Sequence, residues 1–175
     1  MIETAYNKVF DSIVVVCPTI EWNTTYNNWS QLNDHGVIKI PCSQEMINHV
    51  LSVTSVIFKG TNTLIVVDDC PSSQAVKQRV SELVRPAFSA RHYNLSVIVL
   101  TQQLSSVSKP FRENISRPVT FYNPSKKDIK VITDDYLNGV PHDLISDITR
   151  VLRREKYTTL DILLIDSYGF TLSKP

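Results

Sequence analysis

Two apolar runs with polar tips constrain this chain more than any other feature of it. Thr63-Leu64-Ile65-Val66-Val67 is rich in β-branched residues, does not alternate with polar ones, and ends abruptly in Asp68-Asp69. Further along, Leu95-Ser96-Val97-Ile98-Val99-Leu100 ends in Thr101-Gln102-Gln103. Short continuous apolar runs of this kind read as strands covered on both faces, as in a parallel sheet. In such a sheet the carboxyl-terminal strand ends gather along one edge, where ligands bind. A strand that delivers two carboxylates beside one that delivers an amide would hold a metal ion and a water side by side. One carboxylate can hold Mg²⁺ through its water shell. The next can orient or deprotonate an attacking water, and a glutamine on the neighbouring strand can bond both that water and a γ-phosphate. Each tip alone is also what an ordinary turn uses: exposed acids after a strand, or an amide that satisfies backbone groups. The combination carries the chemical reading.

The rest of the chain supplies an α/β frame. Asp11 to Pro18 reads as another fully buried strand, stopped by its proline. Gly36 to Pro41 reads as a short edge strand. Trp22, Tyr26 and Trp29, at i, i+4 and i+7, are expected on one face of a helix or helical turn, packed against the sheet. Ser43 caps a helix through Met46, Ile47, Val50 and Leu51, and Ser72 or Ser73 caps one that runs to Arg85 before Pro86. Pro118 to Tyr122 is a further strand. Ser125 caps a helix reaching Thr133, and His142 to Glu155 forms another with arginines at its end. Leu160 to Asp166 is a last strand, with Gly169 to Leu172 as a short hairpin partner. Alternating strands and helices argue for a mainly parallel sheet.

Composition removes several classes of function. Hydrophobic content of 42% over 175 residues suits one globular domain with a real core. A net charge of +1 gives no global basic field for nucleic acid. No apolar run approaches the length of a membrane span, and residues 1–10 carry no apolar secretory core. Cys17, Cys42 and Cys70 are odd in number and lack C-x-x-C spacing. They predict free thiols, with Cys17 and Cys70 as small buried hydrophobes, and an intracellular, reducing location. His35, His49, His92 and His142 stand apart from one another and from the cysteines, so zinc spacing is absent. Arg85, Arg91, Arg112 and Arg117 lie in or near loops at the ligand edge. Any of them could reach a neighbour's γ-phosphate, although a solvated charge or an ordinary ion pair is the commoner fate of such residues. Arg91 and Arg112 flank the glutamine strand most closely. Without family input, a flavodoxin-like or receiver-like domain is the competing fold, but Lys109 lies too far beyond the glutamine strand to serve as the lysine of a receiver site.

Taken in order, Phe10 to Thr19 with Trp22-Asn23 and Tyr26, Leu64 to Asp69, Arg91 to Gln103, and Arg112-Glu113-Asn114 resemble the viral DNA-packaging ATPases of the FtsK/HerA superfamily. The branch is that of poxviruses, other large DNA viruses and Polinton (Maverick) elements. The resemblance spans roughly Phe10 to Pro124. It implies a P-loop NTPase-like α/β fold with a mainly parallel sheet flanked by helices. Asp68 would match the Mg²⁺ aspartate of Walker B, Asp69 the acid that activates water, Gln102 the sensor glutamine, and Arg91 the arginine finger. ATP and Mg²⁺ are the implied cofactors. Double-stranded DNA and a homo-oligomeric ring are the implied partners, with no membrane involved and an intracellular or virion location.

The sequence departs from that family in one respect. The family's first strand, its G-x-x-x-x-G-K-[ST] phosphate loop and the following helix precede the strand placed here at Ile13, and no such motif occurs in this chain. The expectation is therefore a single truncated domain over 1–175, with the Walker B and sensor core at 10–124 and helices and a strand at 125–175. It would be a fragment or degenerate relative of a translocating ATPase, inactive alone. The alternative is a non-catalytic α/β interaction module that binds DNA or a partner subunit.

Overall fold

The computed structural model describes residues 9–26, 37–43, 45, 49, 60–70, 94–107, 109–164 and 169–174. The chain divides into two compact units, Met1–Gln102 and Gln103–Pro175. Among the described residues no helix is long and apolar enough to cross a membrane.

The first unit is built on four parallel strands: β1 (Ser12–Val16), β2 (Val37–Ile40), β3 (Thr63–Asp68) and β4 (Leu95–Leu100). Their spatial order is β2-β1-β3-β4, every neighbouring pair parallel. Residues 13–16 of β1 and 64–67 of β3 are at most 1% exposed. That is the two-sided burial their unbroken apolar sequences call for. On one face Ile13, Val15, Leu64 and Val66 pack with Phe10, Cys17, Ile20 and Tyr26. The two central strands start in register because Asp11 and Asn62 tie them together. The Asn62 amide donates to Asp11 Oδ2 at 2.7 Å, and Asn62 Nδ2 donates to the Val9 carbonyl at 2.7 Å.

Two expectations are corrected in this unit. Trp22 and Tyr26 do not share a buried helical face. Residues 18–22 form turns and 24–26 a single 3-10 turn, leaving Trp22 75% exposed while Tyr26 is buried. Trp29 lies outside the described residues, as do nearly all of the two helices expected after Ser43 and after Ser72. The free-thiol expectation fails for two of the three cysteines. Cys42, two residues past β2, forms a disulfide with Cys70, two residues past β3, with their Cα atoms 5.9 Å apart. Parallel strands bring their ends to one edge however far apart they are in sequence, so the spacing of these cysteines gave no sign of the pairing. Cys17 is the free, buried cysteine.

The second unit gathers the later elements: a 3-10 turn (Leu104–Ser106), α1 (Lys109–Arg112), β5 (Val119–Phe121), α2 (Lys126–Tyr136), α3 (His142–Arg154), β6 (Thr159–Leu163) and β7 (Gly169–Ser173). Its strands form a separate antiparallel sheet, β5-β6-β7, and do not extend the parallel one. Strand β6 alternates, with Leu160 and Ile162 buried beneath Tyr136 and Leu137 of the α2 end and Ile148 and Leu152 of α3. The elements expected here are present, with the last strand at Thr159–Leu163 and residues 165–166 outside the described residues, and α2 runs one turn past Thr133.

Polar side chains fix this unit's loops. Ser125 caps α2 by accepting from the Asp128 amide at 3.3 Å. The buried Asp128 carboxylate accepts from the Ser105 amide at 2.8 Å and from Asn123 Nδ2 at 3.0 Å. Burial pushes its pKa up, but the hydrogen bonds from Ser105, Ser125 and Asn123 outweigh that and hold it below the usual carboxylate range. Arg112, 12% exposed at its side chain, donates to Asp135 at 2.7 Å and to the Val107 carbonyl at 2.6 Å. The Tyr136 hydroxyl donates to the Arg112 carbonyl at 3.0 Å, and burial with the nearby Asp135 charge pushes that phenol up to about 12.

These ties have measurable consequences. Closing a loop between residues 28 apart in sequence should contribute about 3–4 kcal/mol. Cys42→Ser is therefore expected to lower unfolding free energy by that order in denaturant melts, and a thiol assay on the unreduced, denatured protein to find one free thiol. A carboxylate held below its ordinary pKa contributes stability that is complete above the unfolded value and drains away as pH falls through the folded one. Stability should accordingly fall below about pH 4, and Asp128→Asn, although less stable at neutral pH, should show a shallower acid slope.

Candidate functional site

The carboxyl-terminal edge of the parallel sheet collects Cys17 after β1, Asp68 and Asp69 at and after β3, and Gln102 just past β4. Alternation along β3 puts Asp68 on the face of Leu64 and Val66. There it meets side chains of the same packed layer. The Tyr26 hydroxyl donates to Asp68 Oδ2 at 2.6 Å, and the Cys17 thiol donates to the same oxygen at 3.7 Å. Cys17 also touches Thr19 Oγ1 at 3.3 Å and receives Asn23 Nδ2 at 4.0 Å, so the turn after β1 wraps this carboxylate. Asp68 is half-buried and Tyr26 is 3% exposed. Burial, then the hydrogen bond to Asp68, then the charge of Asp68 push the Tyr26 phenol far above its ordinary value, so it stays a neutral donor at any working pH.

Asp69 leaves the strand differently. Its amide still donates to the Leu100 carbonyl at 3.0 Å, but its φ is +43°. A non-glycine residue in the left-handed region costs about 1 kcal/mol. In regular strand geometry Asp69 would simply alternate away from Asp68. The left-handed turn instead brings the exposed Asp69 carboxylate to Gln102, whose Nε2 donates to Asp69 Oδ2 at 2.7 Å. The two tips singled out in the sequence are thus in direct contact, one strand apart. Gln102 owes its place to the register, in which Asp68 pairs with Leu100.

The two carboxylates therefore sit in different surroundings: one wrapped and half-buried, the other exposed and hydrogen-bonded to an amide. Among the described residues no three His, Cys, Asp or Glu side chains converge in a way that could hold a metal ion by themselves. Among the described residues the carboxylates at this edge are those of Asp68 and Asp69. One or two carboxylates, completed by waters and substrate phosphates, are a donor set that suits Mg²⁺.

Of the arginines, Arg91 and Arg85 fall outside the described residues. Arg112 is committed to Asp135 and Val107 as described, and Arg117 forms a two-point pair with Asp161, 2.9 Å to Oδ1 and 2.5 Å to Oδ2. That pair holds the Asp161 carboxyl below the usual range. Tyr26 and Cys17 read in the sequence as core. Their part in the site comes from a contact between residues 42 and 51 positions apart, which no local spacing encodes.

Comparison with known proteins bears on the family and the fold. The model of the poxvirus A32 protein family matches residues 38–173. The fold matches solved structures of the genome packaging NTPase B204 from Sulfolobus turreted icosahedral virus 2. For its AMPPCP complex the TM-score is 0.61 at 14% identity, covering 94% of this chain and 82% of that one. For its ATP-gammaS complex the TM-score is 0.56 at 12% identity with the same coverage. B204 from Sulfolobus turreted icosahedral virus, described as a DNA-packaging ATPase, aligns with a TM-score of 0.55 at 11% identity over 94% of this chain and 98% of that one. No curated protein sequence matches the chain. With the fold in agreement, the match of the family model over residues 38–173, most of the length, leads to one conclusion: the chain belongs to the poxvirus A32 protein family.

Proposed function

We propose that this chain carries the hydrolytic half of a DNA-packaging ATPase. The observation that supports this reading best is the 2.7 Å contact between Gln102 Nε2 and Asp69 Oδ2 across adjacent parallel strands. In this reading Asp68 is the Mg²⁺ ligand of a Walker B strand, Asp69 the group that orients and deprotonates the attacking water, and Gln102 the sensor that spans that water and the γ-phosphate. When bound, Mg²⁺ would neutralise charge on the β- and γ-phosphates. The chain's own residues would orient the water and receive its proton at Asp69. Arg91 is the proposed finger, acting on the nucleotide of a neighbouring subunit in a homo-oligomeric ring around double-stranded DNA. Solved B204 structures hold ATP-gammaS, AMPPCP and AMP, and nucleotide is the ligand class carried over to this chain.

The phosphate cradle is proposed to come from outside this sequence. Strand β4 has the apolar make-up of an inner strand, yet Leu100 is 43% exposed and none of its residues is buried, in contrast to β1 and β3. An added strand along that edge would cover it and would lie beside Gln102. Without the cradle the backbone amides and lysine that fix the phosphates are missing, so a nucleotide would not be held in place for attack.

The 175-residue chain is therefore expected to show no ATP turnover above background and no shift in unfolding temperature with Mg²⁺-ATP. Turnover that Asp69→Asn abolishes would overturn the claim that it is inactive alone. In a version completed with a strand bearing G-x-x-x-x-G-K-[ST], turnover should appear. There Asp69→Asn should cut kcat at least a hundredfold, in line with removal of a general base, and leave nucleotide affinity within about threefold. Asparagine tolerates the left-handed backbone of position 69, so the substitution tests chemistry and not folding. A completed chain that folds and binds ATP but never turns it over would favour the non-catalytic interaction module.

A further inference from the structure

The role of Tyr26 goes beyond packing. A phenol hydroxyl at the end of a core ring needs a hydrogen-bond partner, and a backbone carbonyl would satisfy it. This one instead reaches the Asp68 carboxylate at 2.6 Å. A short hydrogen bond from a buried hydroxyl to a half-buried carboxylate oxygen belongs to the strong class. The Cys17 thiol adds a weaker donor to the same oxygen at 3.7 Å. Among the described residues both hydrogen bonds to this carboxylate fall on Oδ2, and Oδ1 receives none.

Which oxygens of a carboxylate are taken decides how it can meet a cation. Ca²⁺ accepts carboxylates bidentately in loose, high-coordination shells, whereas Mg²⁺ demands a tight octahedron, keeps its waters and takes one carboxylate oxygen. We propose that Tyr26 is a positioning residue that occupies Oδ2 of Asp68, leaving Oδ1 alone to meet a divalent cation and so selecting Mg²⁺ over Ca²⁺. This inference rests on the reading of Asp68 as the cation ligand. Two features of the fold hold the arrangement. Tyr26 is locked by burial in the layer formed by Phe10, Ile13 and Leu64, and Asp68 is held by the last register pair of β3 with β4.

The test uses the chain itself and metal ions alone. Tyr26→Phe removes a single oxygen and keeps the ring. Mn²⁺ is titrated while amide line broadening is followed by NMR, and Mg²⁺ and Ca²⁺ are then used to reverse it. In the wild type, Mn²⁺ should broaden the amides flanking Asp68, Asp68→Asn should remove the effect, and Mg²⁺ should displace Mn²⁺ at lower concentration than Ca²⁺. In Tyr26→Phe the preference for Mg²⁺ over Ca²⁺ should shrink about fivefold or more, because Oδ2 becomes available for bidentate capture. Cys17→Ala should move it the same way by less, and serves if the phenylalanine variant does not fold. A purely structural role would lower the unfolding temperature and leave the ion preference unchanged. A preference unchanged in both variants, with the Asp68-dependent broadening intact, overturns the proposal and leaves the cation reading standing. Broadening that survives Asp68→Asn, or is absent from the wild type, overturns the cation reading and the proposal with it.

Discussion

Burial of β1 and β3 on both faces is the constraint from which the rest of the first unit follows. Eight central residues at 0–1% exposure leave no position within these runs where a charge or an amide could be solvated. Polar chemistry is therefore excluded from the strand bodies and confined to their ends. Because every neighbouring pair is parallel, those ends fall along one line. The acidic tip and the amide tip are adjacent because the sheet allows them nowhere else. The same exclusion explains why Asp68 needs partners. As the last residue of β3 it is only half in water, and the Tyr26 hydroxyl and Cys17 thiol supply what solvent supplies less well there.

The second unit is held together differently. Its sheet is antiparallel, and β6 alternates, with one face covered. Its loops are held by charge more than by apolar packing. Asp128 gathers the 3-10 turn, residue 123 and the start of α2, while Arg112 joins the loop at Val107 to the end of α2. A buried carboxylate that receives several hydrogen bonds, and an arginine 12% exposed with both a carboxylate and a carbonyl partner, are satisfied groups. They account for two of the charged residues that a reading of composition alone would have placed in solvent.

The sequence disclosed the frame of the fold well and its cross-connections poorly, for one reason. Strand bodies, helix caps and the polar tips are local statements: the unbroken apolar runs at 13–16 and 64–67, Ser125 before Asp128, arginines in the last turn of α3. Each is written in neighbouring residues, and each appears as expected. That the acidic and amide tips are neighbours was legible too, because it needs only the inference that two apolar runs are adjacent strands; their direct hydrogen bond depends on the left-handed backbone of Asp69. The Cys42–Cys70 pair, the Tyr26–Asp68 bond and the Arg112–Asp135 pair join segments that nothing local relates. The separation of the later strands into their own sheet was hidden likewise, since a strand's sequence does not say which sheet it enters. The ring stripe differs for another reason. Helical spacing at Trp22 and Tyr26 was real, but residues 18–22 form turns and 24–26 a 3-10 turn, and Trp29 lies outside the described residues.

The left-handed backbone at Asp69 has an evolutionary reading. That position carries two demands at once, a conformation that most side chains resist and a carboxylate at its tip. Glutamate would keep the charge and fit the backbone badly. Asparagine and glycine would sit there comfortably without the carboxylate that the proposed general base needs. If Asp69 plays that part, a lineage released from hydrolysis would meet its easiest drift at this residue, and aspartate is a less comfortable choice for the backbone than either of those two.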